Sequence, residues 1–340
     1  MGANDLDADL RCTVEPGRPA TASAAGVDTV EQAVLWLATR RARIRELLDE
    51  HGALYLRGLP IHDPAGFAAV RDAVLDERAA YQEKATPRTH FGDDVYSSTD
   101  LPPAHTIHMH NENSYTLTFP GILMFCCLTA PHTGGATPVA DCRQVLRNLP
   151  GELAERFRAT GWSLLRNYGE HISLDWRTAF NAASPEEAEK YWAENLIGYR
   201  WGENGTLRTG QVRPAIIKHP RTGEEVWFNH AAFWSEHSLD PEIREVLLEE
   251  LGHGGLPFNT GYGDGVAFTA DEIGTINAAY EAAVVRRPWR AGDLLIVDNL
   301  LTAHGRDAFR GDRKVVVAMG EPVSLADCRP VPPPAARLGS

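Results

Sequence analysis

Apolar residues recur at Val34, Leu37, Ile44 and Leu47 within Val30 to Glu50, and Gly52 follows. That spacing paints one stripe along a helix which a glycine then stops. An extended run, Ala53-Leu54-Tyr55-Leu56, comes next. Further β-type runs are Ile122 to Leu128, Ala215 to Lys218, Glu225 to Phe228, Leu294 to Val297 and Lys314 to Met319. Helices between them are marked by their caps. Ser184-Pro185-Glu186-Glu187 and Thr269 with Glu272 read as capping boxes, and Asp240-Pro241 as an N-cap followed by proline. The runs are irregularly spaced and no unit repeats, which excludes a solenoid or propeller and predicts a β-sandwich or barrel dressed with helices. Residues 1–28 and the tail 323–340, ending in PVPPPAARLGS, lack periodicity and are expected to be loosely held. A single domain over 29–322 remains.

Composition narrows the class. Of 340 residues, 43% are hydrophobic and eight are tryptophan, ample for a large core, so disorder is excluded. The net charge of −13, against which no Lys/Arg cluster stands out, would repel a phosphate backbone over most of the surface, so no nucleic-acid partner is expected. Five cysteines are an odd number. Cys126 and Cys127 are adjacent in an apolar run, where a strand sends them to opposite faces, so reduced core thiols and a cytoplasmic location are expected. The acidic start MGANDLDADL lacks a secretory pattern, and Leu6 stands where a myristoylation motif needs Ser or Thr. Nothing approaches the roughly 18 apolar residues of a membrane span. No strand is followed by GxGxxG or GxxxxGK[ST], and no GxSxG occurs.

Two segments carry candidate chemistry. His105-Thr106-Ile107-His108-Met109-His110 runs into Asn111-Glu112. In an extended chain, residues i and i+2 share a face, so His110 and Glu112, and His108 with them, can converge. A lone His-x-Glu is a weak signal. Far along the chain, however, the apolar run Leu294 to Val297 leads through Asp298-Asn299 to His304-Gly305-Arg306, and Gly311-Asp312-Arg313 follows. Two histidines and one carboxylate form the facial set that leaves open positions on Fe(II). Zinc with three ligands and a water fits the same set.

In their order, GALYLRGL, VYSST, HNENSY, GGATPVAD, RNYGE, HPRTGEEVWFN, DNLLTAHGR and GDR resemble the Fe(II)/2-oxoglutarate-dependent oxygenases of the taurine dioxygenase (TauD/TfdA-like) superfamily, from about Gly52 to Met319. The branch named for the syringomycin-biosynthesis hydroxylase is most similar. The resemblance implies an α+β fold with a mainly β core, a double-stranded β-helix (jelly roll) with flanking helices and lid insertions. It implies His110, Glu112 and His304 as ligands of Fe(II), Arg313 as the salt-bridge partner of the distal carboxylate of 2-oxoglutarate, and Thr137 as a hydroxyl donor to it. Arg306 is the next candidate for that anchor. The physics agrees: arginine offers a planar fork to a carboxylate. Gly134-Gly135 would supply the turn that brings Thr137 inward. The resemblance also implies O2 as the oxidant, with succinate and CO2 as co-products.

A carboxylate at Glu112 fills the position that chloride takes in related halogenases, so hydroxylation is expected. Desaturation or ring formation on the same iron is an alternative outcome. A jelly roll that only binds a ligand is the alternative from another class, and the intact set of five residues argues against it. Arg88, Asn113, Tyr115 and Asn229 are candidate substrate contacts, with Ser114 beside them. His108 is a candidate partner for His110, and Trp227, Phe228, Met124, Cys126 and Cys127 are read as core. The expected substrate is an amino acid or amino-acid-derived molecule. In taurine dioxygenase and several relatives, a second arginine four residues after the cosubstrate arginine grips the substrate's acid group. Val317 stands there instead. This disfavours a free sulfonate and slightly favours a substrate carried as a carrier-protein thioester, unless another segment, such as that of Arg88, supplies the anchor.

Overall fold

Leu294, Leu295, Ile296 and Val297 are all fully buried, although consecutive side chains of a strand point to opposite faces. Both faces of their sheet must therefore be covered, and that requirement organises the molecule. The computed structural model describes residues 10–79, 81, 83–169 and 174–329. Among these, the largest sheet runs Cys12–Thr13, Ala20–Ser23, Ala53–Arg57, Leu294–Asp298, Thr118–Thr129, Lys314–Ser324 and Tyr96–Ser97. Leu294–Asp298 lies antiparallel between Ala53–Arg57 and Thr118–Thr129, with Val297 opposite Ala53 and Leu123. On one face Met124, Cys126, Leu294, Ile296 and Val316 pack on the helices through Leu37, Ile44, Leu47 and Phe67. On the other, Tyr55, Leu123, Phe125, Cys127, Leu295 and Val317 meet Val139 and Trp289. The two adjacent cysteines do part to opposite faces. Each fully buried aliphatic side chain here contributes about 1.5–3 kcal/mol.

The second face is covered by a smaller sheet in the order Val284–Val285, Val139–Asp141, Thr302–Arg306 and Ile107–His110. The two sheets lie face to face and do not close into a barrel. A third sheet runs Gly198–Trp201, Leu207–Arg213, Trp162–Tyr168 and Phe258–Tyr262. In Trp162–Tyr168 the buried residues alternate, which marks a strand covered on one side. An aromatic cluster that includes Tyr115, Trp162, Trp227, Phe228 and Trp234 joins this part to the small sheet.

Local structure departs from the sequence pattern in four places. The single helix expected over Val30 to Glu50 is two, Val30–Ala38 and Arg41–His51, because Thr39 Oγ1 donates back to the carbonyls of Leu35 and Trp36 at 3.0 and 3.2 Å. Gly52 then caps the second helix with φ 71°. Thr269 and Glu272 form the full capping box, but Glu187 bonds the Ala183 amide, so Ser184 makes only half of one. The helix Pro64–Val74, capped by Asp63, carries the same Asp-Pro signal as Asp240-Pro241 and went unread. Finally, the expected loose ends are tied in where they are described. Ala20–Ser23 pairs in parallel with Ala53–Arg57, burying Ala20 and Ala22, because small side chains let it fit under the helices. Beyond residue 322 the last strand continues to Ser324 and Cys328 is buried. Residues 1–9 and 330–340 lie outside the described residues. No described helix is long and apolar enough to cross a membrane.

Candidate active site

Ile107–His110 is the edge strand of the small sheet, and its pairing with Thr302–Arg306 sets His110 directly opposite His304. Glu112 follows in a turn that has Asn113 at φ 53°. Asn299 holds that turn. Its Oδ1 accepts from the Glu112 amide at 2.8 Å, and its Nδ2 donates to the carbonyls of Glu112 and Pro120 at 2.9 and 2.8 Å. The Asn111 amide donates to the Asn299 carbonyl at 2.7 Å. The next residue back, Asp298, caps the loop leading to His304, accepting from the Leu300 and Leu301 amides at 3.0 Å.

One ligand atom from each of His110, Glu112 and His304 lies within 4.8 Å of the others, and all three residues are buried. His110 Nδ1 lies 2.8 Å from the His108 carbonyl, so it donates and leaves the Nε2 lone pair free. The His108 contact is thus made by its backbone and not by its imidazole. His304 Nε2 and Glu112 Oε2 are 3.7 Å apart, too far for a hydrogen bond and suited to two ligands of one ion. Burial pushes His110 below the ordinary histidine range and His304 well below it, which keeps both neutral, as metal ligands must be. Two neutral imidazoles and a carboxylate fit Fe(II).

His110, Glu112 and His304 line a cavity of about 600 Å³, its open mouth included, and Thr137 and Arg313 line it too. Arg313 donates to the Gly135 carbonyl at 2.9 Å, to Ser98 Oγ at 3.2 Å and to Thr137 Oγ1 at 3.3 Å. Trp289 Nε1 also donates to Thr137 Oγ1, at 3.1 Å. With two donors on its oxygen, the threonine keeps its own proton to donate elsewhere. Burial, with Arg306 nearby, brings Arg313 down to about 10, still charged at neutral pH, and no carboxylate pairs with it among the described residues. The arrangement suits a bound anion. Gly134 and Gly135 have φ 70° and 66°, and a Cβ on Gly135 would stand 3.1 Å from Arg313 Cδ. Arg306 donates to the carbonyls of Leu101, Pro102 and His105 at 2.9, 2.7 and 2.6 Å, so it braces the loop before His110.

The candidate substrate contacts divide. Tyr115 and Arg88 line the cavity. The Tyr115 hydroxyl donates to the Glu83 carbonyl at 2.8 Å, leaving its ring as wall. Asn113 does not line it: its Oδ1 accepts from Tyr115 at 3.4 Å and its left-handed backbone makes the turn. Asn229 does not line the cavity either. Its amide donates to the Ala215 carbonyl at 3.1 Å and its oxygen accepts from the Ala231 amide at 3.0 Å, so it shapes the chain behind the site. Its neighbour His230, given no role in the sequence, lines the cavity, with its ring 4.9 Å from that of His110 and Nδ1 2.6 Å from Ser114 Oγ. A polar Asn229-His230 pair closing a buried aromatic run was the available signal. Trp227 and Phe228 are core, against Phe157 and Phe119.

The fold and this donor set place the protein among the Fe(II)/2-oxoglutarate-dependent dioxygenases. Residues 13–319 match the family described as taurine catabolism dioxygenase TauD, TfdA family, and the chain belongs to it. The chain is 38% identical over 280 residues to the dapdiamide synthesis protein DdaC of Enterobacter agglomerans, covering 82% of this chain and 85% of that one. Solved structures with the same fold include an asparagine oxygenase in complex with Fe(II), 2S,3S-3-hydroxyasparagine and succinate (TM-score 0.52, 18% identity, 86% of this chain and 83% of that one). PvcB from Pseudomonas aeruginosa is another (TM-score 0.51, 16% identity, 94% of each chain). The protein is therefore an enzyme, and the reading as a mere ligand-binding jelly roll falls away.

Proposed function

We propose that this dioxygenase hydroxylates an unactivated C–H bond of an amino acid or amino-acid-derived molecule in specialised metabolism, in the cytoplasm. His110, Glu112 and His304 hold the iron, while Arg313 and Thr137 hold the distal carboxylate of 2-oxoglutarate. The observation that carries this reading is one cavity lined both by three buried ligand groups within 4.8 Å and by an arginine without an acidic partner. The relative named for dapdiamide synthesis supports the substrate class. Two sheets packed face to face around the site support a double-stranded β-helix. Bound iron, with 2-oxoglutarate and O2, supplies the oxidant for the C–H bond.

The chain's own groups do the rest. Burial keeps both imidazoles unprotonated. Asn299 grips the Glu112 backbone on both sides, so the carboxylate cannot swing out of register. Tyr115, Phe233 and Trp234 wall the cavity and exclude water. Glu112 occupies the place a halide would need. To test this, the enzyme is loaded anaerobically with Fe(II) and 2-oxoglutarate and exposed to O2 with amino acids, free and thioester-linked, and with chloride. A product heavier by one oxygen atom, formed with succinate, is expected. A chlorinated product, or one lighter by two hydrogens, would overturn the hydroxylase assignment.

A further inference from the structure

Arg88 is buried beside the ligand set, its side chain 8% exposed against 7% for Glu112. It uses one nitrogen: Nη2 donates to the two Glu112 oxygens at 3.0 and 2.8 Å. Nε is buried with no partner, and Nη1 makes no hydrogen bond among the described residues. The guanidinium lies 4.9 Å from the Tyr81 ring, which steadies it without satisfying its donors. This is a fixed cation with donors to spare inside the reaction cavity.

The charges of the site show what those donors await. The two positive charges of the iron and that of Arg313 are matched by Glu112 and the two carboxylates of 2-oxoglutarate. Arg88 and Arg306 are left over. Arg306 lines the same cavity, but its bonds run to three backbone carbonyls of the neighbouring loop. Val317, four residues after Arg313, is buried between the sheets and can grip nothing. A buried cation next to an occupied metal site calls for one more anion, and the molecule not yet counted is the substrate.

We propose that Arg88 anchors a free carboxylate of the substrate, so that the molecule is taken as an acid and not as an ester or thioester at that group. This rests on the reading of the site given above. An ion on Glu112 claims one of its oxygens, the other can keep Nη2, and the remaining donors meet the substrate.

The test pairs L-amino acids and their N-acetyl forms with the corresponding methyl esters, measuring 2-oxoglutarate turnover above the uncoupled rate. Mn(II) affinity, read from loss of the free-ion EPR signal, is measured in parallel. In the parent, acids should exceed their esters at least about tenfold in kcat/KM. Arg88→Gln should raise KM for the acid about tenfold or more, bringing it to that of the ester, with Mn(II) affinity held within about threefold; Arg88→Lys should recover part of the preference. Retained Mn(II) binding reports that the variants fold. Esters turned over as well as acids would overturn the proposal. So would a Gln variant that loses Mn(II) affinity as steeply as it loses substrate, since Arg88 would then be a brace for Glu112. Failure of the parent itself to bind Mn(II) would instead sink the metal-site reading.

Discussion

Among the described residues there are two clusters in which histidine and acidic ligand atoms lie within 4.8 Å: His110, Glu112 and His304, and Asp49, His219 and Asp298. They differ in the direction of their hydrogen bonds. His110 Nδ1 faces a carbonyl and must donate, which frees Nε2 as a lone pair. His219 Nδ1 instead accepts from the Thr222 amide at 3.1 Å, so Nε2 carries the proton and gives it to Asp298 Oδ2 at 3.1 Å. Arg221 lies between Asp49 and Asp298, 2.5 and 3.4 Å from their oxygens. The second cluster is already complete, a latch that fixes the loop delivering His304. Proximity of donor types does not make a metal site; for His110 and His219 the partner on the far ring nitrogen decides which has an electron pair to offer.

The comparison can be broken experimentally, most severely at His304. Replacing it by alanine leaves two ligands, and Fe(II)-dependent, substrate-coupled succinate formation should disappear, with metal affinity falling by at least about 10- to 100-fold. Full turnover in that variant would remove the first cluster from the chemistry. Arg313→Ala should spare metal binding and raise the 2-oxoglutarate requirement by roughly 10- to 100-fold, the loss of a charge-assisted pair worth about 1.5–3 kcal/mol. An unchanged requirement would move the anchor elsewhere. The smallest effect on the reaction belongs to His219→Ala. It should cost about 1–3 kcal/mol in urea unfolding by leaving Asp298 short of a donor, with one Mn(II) still bound per chain. Loss of a second equivalent of metal would show that the latch had been a site after all.

Much of this was legible in the sequence because it follows from local rules. A continuous apolar run such as Leu294 to Val297 has to be a strand covered on both faces, and Gly52 has to end a helix. What was not legible depends on side chains meeting across long separations. Thr137 is oriented by Trp289, 152 residues away. Glu112 is held by Asn299, at a separation of 187. Nor does the sequence tell Asn229 from its neighbour, where the turn sends Asn229 toward Ala215 and presents His230 to the cavity. The helix over Val30 to Glu50 broke at Thr39, where a side-chain hydroxyl competes for backbone carbonyls.

The burial of the thiols bears on how long such an enzyme survives its own chemistry. Cys127 shares a sheet face with Phe125, whose ring centroid is 5.1 Å from that of His304. Peroxide and related by-products of stalled oxygen chemistry attack thiolates and largely spare thiols. Desolvation pushes Cys127, Cys142 and Cys328 each up to about 12. At neutral pH such a group is ionised on the order of once in a hundred thousand molecules. These buried sulfurs are thereby kept in their least reactive form, and self-inactivation should fall first on other side chains around the iron.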